Sequence, residues 1–126
     1  MKHRTPLKAA RSLGSAKEGA NHWWAQRLTA LALIPLSLWF VASLFYLFHA
    51  SRADLVEWLS GPINATLMVL LIGSAFWHTK LGMQVVVEDY VHTPWLKTAL
   101  LIKITLGTIA LGIASIVAVV MLALEG

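Results

Sequence analysis

Five residues carry side chains able to do chemistry where the surrounding sequence offers little of it: His22, Arg27, His78, Asp89 and Tyr90. His78 interrupts a long apolar stretch. An ionisable residue inside a membrane helix is a functional-site hypothesis by default. Its neutral imidazole has two readings. It can hydrogen-bond a neighbouring helix, or it can be an axial ligand to haem iron, because imidazole is a strong ligand and a haem fits between membrane helices. A six-coordinate haem needs a second ligand at similar depth. His49 falls at the wrong end of the preceding apolar stretch, and His22 and His92 lie outside the apolar core. Met83 is too near in sequence to reach across a haem. A haem at His78 therefore takes its second ligand from another chain.

The spacing around His78 orders the other groups. Gly82 is one turn later on the same helix face and leaves room for a bulky group or a close helix. Asp89 is 11 residues past His78, and at about 100° per residue that returns to within roughly 20° of the same face. A helix continuing so far would carry His78, Gly82, Val86 and Asp89 as one stripe. A tyrosine hydroxyl beside an acid, as in Asp89-Tyr90, is a good donor to a quinone oxygen, and quinone reduction needs protons as well as electrons. The same pair would also serve as an ordinary helix-end interface. Arg27 follows Trp23, Trp24 and Gln26. Trp and Arg at a headgroup level are anchors, and Arg27 is also suited to haem propionates or a quinone carbonyl. His22 could assist in the same way.

The elements that must position these groups are read from charge and hydropathy. The chain has 126 residues, of which 58% are hydrophobic and 13% charged. A small soluble domain has too much surface to be wetted with so few charges. That disfavours a soluble enzyme or a free DNA-binding module, and a disordered tail needs the opposite composition. With no cysteine, the chain offers no disulfide, thiolate metal site, Cys-ligated iron–sulfur cluster or c-type haem attachment.

The charges are clustered, leaving 24 uncharged residues between Arg27 and Arg52, 22 between Glu57 and Lys80, and 21 between Lys103 and Glu125. A bilayer core needs about 20 apolar helical residues. The expectation is an all-α integral membrane protein with three transmembrane helices, near 28–48, 63–83 and 102–124. The second is less uniform because it holds Asn64, Trp77 and His78. The first is too long, and starts too late, for a cleaved signal peptide. Pro35 inside it can kink it without breaking it. Ser60-Gly61-Pro62 and Thr93-Pro94 punctuate the entries to the second and third helices.

The segment before the first helix sums to +5, from Lys2, Arg4, Lys8, Arg11, Lys17 and Arg27 against Glu18, within a total of +4. Basic excess marks the cytoplasmic side. The N-terminus is thus expected inside and the C-terminus outside, in a bacterial inner membrane or, for a eukaryotic chain, the mitochondrial inner membrane. Topology accounts for the charge without nucleic acid. Residues 1–21 read as a basic cytoplasmic arm, extended or partly ordered over its first 20 residues, and 22–126 as the three-helix domain. All five singled-out residues fall toward the cytoplasmic side.

The stretch His78-Thr-Lys-Leu-Gly-Met-Gln-Val-Val-Val-Glu-Asp-Tyr-Val-His92 resembles the H-x3-G-x6-D-Y motif of the succinate dehydrogenase hydrophobic membrane anchor family of complex II. His22-Trp-Trp-Ala-Gln-Arg27-Leu-Thr-Ala30 resembles the same family in its alphaproteobacterial and mitochondrial-like form. The resemblance implies a second, partner three-helix anchor, and a flavoprotein and an iron–sulfur protein held on the cytoplasmic face. It implies haem b between the two anchors, with His78 as one axial ligand to the haem iron and Arg27 and His22 at the propionates. It implies ubiquinone near Asp89 and Tyr90, with the Tyr90 hydroxyl bonding a quinone carbonyl. Electrons from succinate would pass through flavin and iron–sulfur clusters to quinone, in the tricarboxylic acid cycle and respiratory chain. The chain would not be catalytic alone. Other readings are a fumarate reductase anchor working with menaquinone, a cofactor-free structural or assembly membrane protein, and a transporter half, the last disfavoured because no paired charges fall at mid-membrane.

Overall fold

The computed structural model describes the backbone of residues 6–126 and the side chains of residues 19–126. The described chain is all helical, with four helices: α1 (Pro6–Tyr46), α2 (Arg52–Ser60), α3 (Pro62–Tyr90) and α4 (Pro94–Glu125). Each boundary has a local cause. Ser51 caps α2 with a reciprocal pair: its Oγ accepts from the Asp54 amide at 3.2 Å, and its own amide donates to Asp54 Oδ2 at 3.1 Å. Pro62 and Pro94 open α3 and α4, where a missing amide hydrogen costs nothing. Thr93 precedes Pro94 and is pushed out of the helical region, at φ −78°, ψ 117°.

The chain turns by 93° between α2 and α3. Gly61 makes the corner in extended geometry. Asn64 Nδ2 donates to the Trp58 carbonyl at 3.1 Å, so a residue that reads as a flaw in the second apolar segment joins the Gly61 amide, at 3.4 Å, in satisfying a carbonyl at the end of α2.

Several boundaries differ from the sequence expectation. The first helix stops at Tyr46, short of residue 48. The second and third helices run well past their apolar cores, leaving Val91–Thr93 as the whole connection between them. Charged and amphipathic residues at the helix ends extend the helix into the interface, where lipid no longer sets its length. The arm expected to be extended is helical from Pro6, in keeping with the good helix formers Ala9, Ala10, Arg11, Ala16 and Lys17. Residues 1–5 of that arm lie outside the described residues.

Helix α3 is central. It packs against α1 on one flank and α4 on the other, while no backbone contact joins α1 to α4 among the described residues. Trp39 of α1 stacks on Trp58 of α2, with centroids 5.6 Å apart. Arg52 Nη2 donates to both carboxylate oxygens of Glu125, at 3.0 and 2.7 Å, tying the start of α2 to the end of α4. The apolar interior is thin: Leu36, Val56, Leu59, Leu81 and Val87 are buried. Leu28, Leu31, Ile34, Leu38, Val41 and Phe45 instead form an exposed apolar strip along α1. Such a surface has no stable form in water. Gly19–Tyr46 and α4 are each long and apolar enough to cross a membrane, and α2 with α3 meets that standard as a bent pair. The molecule is a membrane-embedded helical protein with two or three spans.

Candidate functional site

Within a span, a polar group must find its partner inside the protein. Most helix hydroxyls here do so locally. Ser43, Thr66, Thr98, Thr108 and Ser115 each donate to the carbonyl four residues back, at 2.7–3.1 Å. Thr29 of α1 follows the same habit, donating to Ala25 O at 2.8 Å, and Gln26 O is within 3.1 Å. It differs in one respect. Its Oγ1 is also 3.0 Å from Nδ1 of His78, across the α1–α3 interface.

This contact is one rung of a polar stripe. His22, Gln26 and Thr29 recur at helical spacing on the face of α1 turned to α3, each half-buried. A Cβ placed on Gly82 would come within 3.9 Å of Gln26 Nε2. The glycine is thus where the amide of α1 lies over the backbone of α3, one turn from His78. Two atoms of the stripe, His22 Nε2 and Gln26 Oε1, are buried without a hydrogen-bond partner. A buried polar atom without a partner costs about 1–3 kcal/mol, so among the described residues this stripe is where polar groups are least satisfied by the chain itself.

His78 also borders an open groove of about 380 Å³, whose wall is built almost wholly by α3, including Gly82, Met83 and Val86, with Ile104 from α4. Helix α3 continues far enough to carry the expected stripe, and His78, Gly82 and Val86 do share this wall. Asp89 lies beyond it, exposed, and Tyr90 ends the helix with 77% of its surface accessible. At 1.5 Å per residue, Tyr90 is roughly 18 Å along the axis from His78. The structure thus separates the imidazole site from the Asp89–Tyr90 pair.

Arg27 is two residues from Thr29, about 200° around α1. It faces away from His78, with its guanidinium carbon 5.4 Å from the Trp23 ring centroid. Trp23 in turn meets Trp24 edge-on at 5.0 Å. On α3, the Lys80 ammonium sits 4.4 Å from the Trp77 centroid. These cation–aromatic pairs suit a headgroup boundary. The structure brings His22 and His78 to one interface, and leaves Arg27, Asp89 and Tyr90 on outer surfaces. Thr29 and Gln26 were missed as site residues from the sequence, although their spacing from His22 puts all three on one face.

Among the described residues no three His, Cys, Asp or Glu side chains gather as a metal-binding group. His78 is a single donor at the edge of an apolar wall.

Comparison with known proteins supplies the remaining observations. Residues 1–123 match the family model described as succinate dehydrogenase/fumarate reductase transmembrane subunit. A succinate dehydrogenase hydrophobic membrane anchor subunit of Rickettsia bellii is 38% identical over 120 residues, covering 92% of this chain and 93% of its own. The protein of the same name from Paracoccus denitrificans is 30% identical over 107 residues, 85% of this chain and 83% of its own. A succinate dehydrogenase membrane anchor subunit of Reclinomonas americana is 34% identical over 79 residues, 60% of this chain and 66% of its own. No solved structure matches.

Proposed function

Because the chain belongs to the succinate dehydrogenase/fumarate reductase transmembrane subunit family, we propose that it is the hydrophobic anchor of a succinate:quinone oxidoreductase, holding the soluble subunits at the membrane and forming part of the haem and quinone sites. The names of its relatives favour succinate oxidation over the fumarate reductase reading. The partners in this reading are a second three-helix anchor, an iron–sulfur protein and a flavoprotein. The chain has no cysteine, so the clusters belong elsewhere.

Helix α3 makes the second of three spans in this reading. Its 93° bend from α2 then lays α2 along the membrane surface, with Val56 and Leu59 turned inward. The basic N-terminal segment faces the cytoplasm, and the α1–α2 connection and Glu125 face the other side.

The observation that carries the cofactor reading is His78, half-buried, joined to α1 through one ring nitrogen and set at the border of an apolar wall that is open on its far side. One imidazole suits a metal that brings other ligands with it, as porphyrin iron does. The residues present fit half a haem b site, and the partner anchor would supply the other protein ligand. Bound there, haem b would supply one-electron redox chemistry. The chain's own residues then do the following. His78 provides the ligand atom. The unpartnered His22 Nε2 would provide a donor for a propionate, whereas the guanidinium of Arg27, turned from His78 onto the Trp23 ring, would reach a propionate only by leaving that ring. Tyr90, with Asp89 beside it, offers a hydroxyl to a ubiquinone carbonyl at the cytoplasmic end.

Co-purification tests the assignment. A tagged chain extracted in mild detergent is expected to bring down a flavoprotein, an iron–sulfur protein and one other small membrane protein, and the assembly to show a b-type reduced-minus-oxidised band. A chain that purifies alone from cells making functional succinate dehydrogenase would overturn it.

A further inference from the structure

The hydroxyl of Thr29 has one proton, and that proton is committed to its own helix, to Ala25 O at 2.8 Å. The lone pairs of Oγ1 are what remain for His78 Nδ1 at 3.0 Å. A hydroxyl that donates to a carbonyl can meet the ring nitrogen only as an acceptor. We infer that Thr29 is a positioning residue for His78: it accepts a hydrogen bond from Nδ1–H, fixes the tautomer protonated at Nδ1, and leaves the Nε2 lone pair as the iron ligand.

The opposite tautomer fits the site badly. It would ask Thr29 to give up its bond to Ala25 O. Location supports the pairing. Thr29 precedes the end of α1 at Tyr46 by 17 residues, and His78 follows the start of α3 at Pro62 by 16. The two therefore stand at the same level, roughly 25 Å along antiparallel helices. Five other helix hydroxyls make the same backward bond to a carbonyl and reach no other helix. A metal-bound histidine typically gives its other N–H to an oxygen acceptor, which orients the ring and raises its basicity.

This inference rests on the proposed role of His78 as a haem ligand, and the test separates the two. The membrane complex is purified with Thr29→Val, which keeps the shape and removes the hydroxyl, with Thr29→Ser, which keeps the hydroxyl, and with His78→Ala. Haem content, haem midpoint potential and the low-spin electron paramagnetic resonance spectrum are read in each. Thr29→Val is expected to assemble, to hold haem about 10–100-fold more weakly, and to shift the potential upward, since a less basic imidazole stabilises ferric iron less. Thr29→Ser is expected to match the parent. If His78→Ala keeps an unchanged haem signal, the ligand assignment itself fails. If His78→Ala loses the signal while Thr29→Val matches the parent in retention, potential and spectrum, His78 is a ligand and Thr29 does not position it. If Thr29→Ser and Thr29→Val are equally damaged, the residue acts through packing and the positioning role is overturned.

Discussion

Tyr90 stands at the end of α3 with its hydroxyl outside the protein's own packing, so removing that hydroxyl should disturb binding and leave the fold alone. A net hydrogen bond is worth about 0.5–1.5 kcal/mol, and Tyr90→Phe is expected to lower kcat/KM for ubiquinone by roughly 2–13-fold. Succinate oxidation by an artificial dye should stay at the parental rate, because the dye does not need the anchor. Steady-state assays with both acceptors check this, and equal losses with both would mean a damaged assembly. At this scale the sequence was informative where residue type and spacing coincide. The intervals from His78 to Gly82 and on to Asp89-Tyr90 put all four residues on one helix, with His78 and Gly82 on the groove wall and Asp89 and Tyr90 beyond it. Thr29 was not legible in the same way. A threonine in an apolar helix usually bonds its own backbone, and only the neighbouring helix reveals that this one has a second partner.

At the level of elements, the α3–α4 contact is set by small residues. A Cβ on Gly112 would lie 3.5 Å from Phe76 Cβ and Cγ, whereas one on Gly107 meets nothing within 4 Å. Leucine at 112 must therefore push α3 and α4 apart. Gly112→Leu is expected to cost about 1–3 kcal/mol, and Gly107→Leu to be tolerated. Thermal unfolding of the detergent-solubilised chain, followed by helical circular dichroism, distinguishes the two. Helix α2 was the element that a search for uncharged runs passed over, since Arg52, Asp54 and Glu57 break any such run. Its signal was local: Ser51 followed three residues later by Asp54, a reciprocal cap. The bend at Gly61 and the role of Asn64 follow from α2 and were hidden with it.

For the whole molecule, one contact and the helix directions fix which ends lie together without reference to the basic bias of the N-terminal segment. The pairing of Arg52 with Glu125 puts the α1–α2 connection beside the end of α4, and the helix directions put Val91–Thr93 at the opposite pole. In the proposed function, charge then orients the unit in the membrane. The absence of cysteine makes single-cysteine labelling clean. In intact cells, Ala53→Cys is expected to react with a membrane-impermeant maleimide, and Thr93→Cys to react only after the membrane is opened. The reverse pattern would invert the topology. That the chain crosses a membrane was legible in the sequence because lipid imposes a length, and the charge bias gives the expected orientation that the labelling tests. Which helix lies in the middle was not, since hydropathy is blind to neighbours.

That central place of α3 has a consequence in time. Helix α1 leaves the ribosome first, with His22, Gln26 and Thr29 on one side and, among the described residues, no backbone contact to α4 in the finished fold to fall back on. The histidine that meets Thr29 is made 49 residues later, a delay of roughly 2–10 s at ordinary synthesis rates. For that interval α1 waits in the bilayer with its polar side uncovered, and whatever shelters it then, whether insertion machinery or an already folded companion, holds the place that α3 will take.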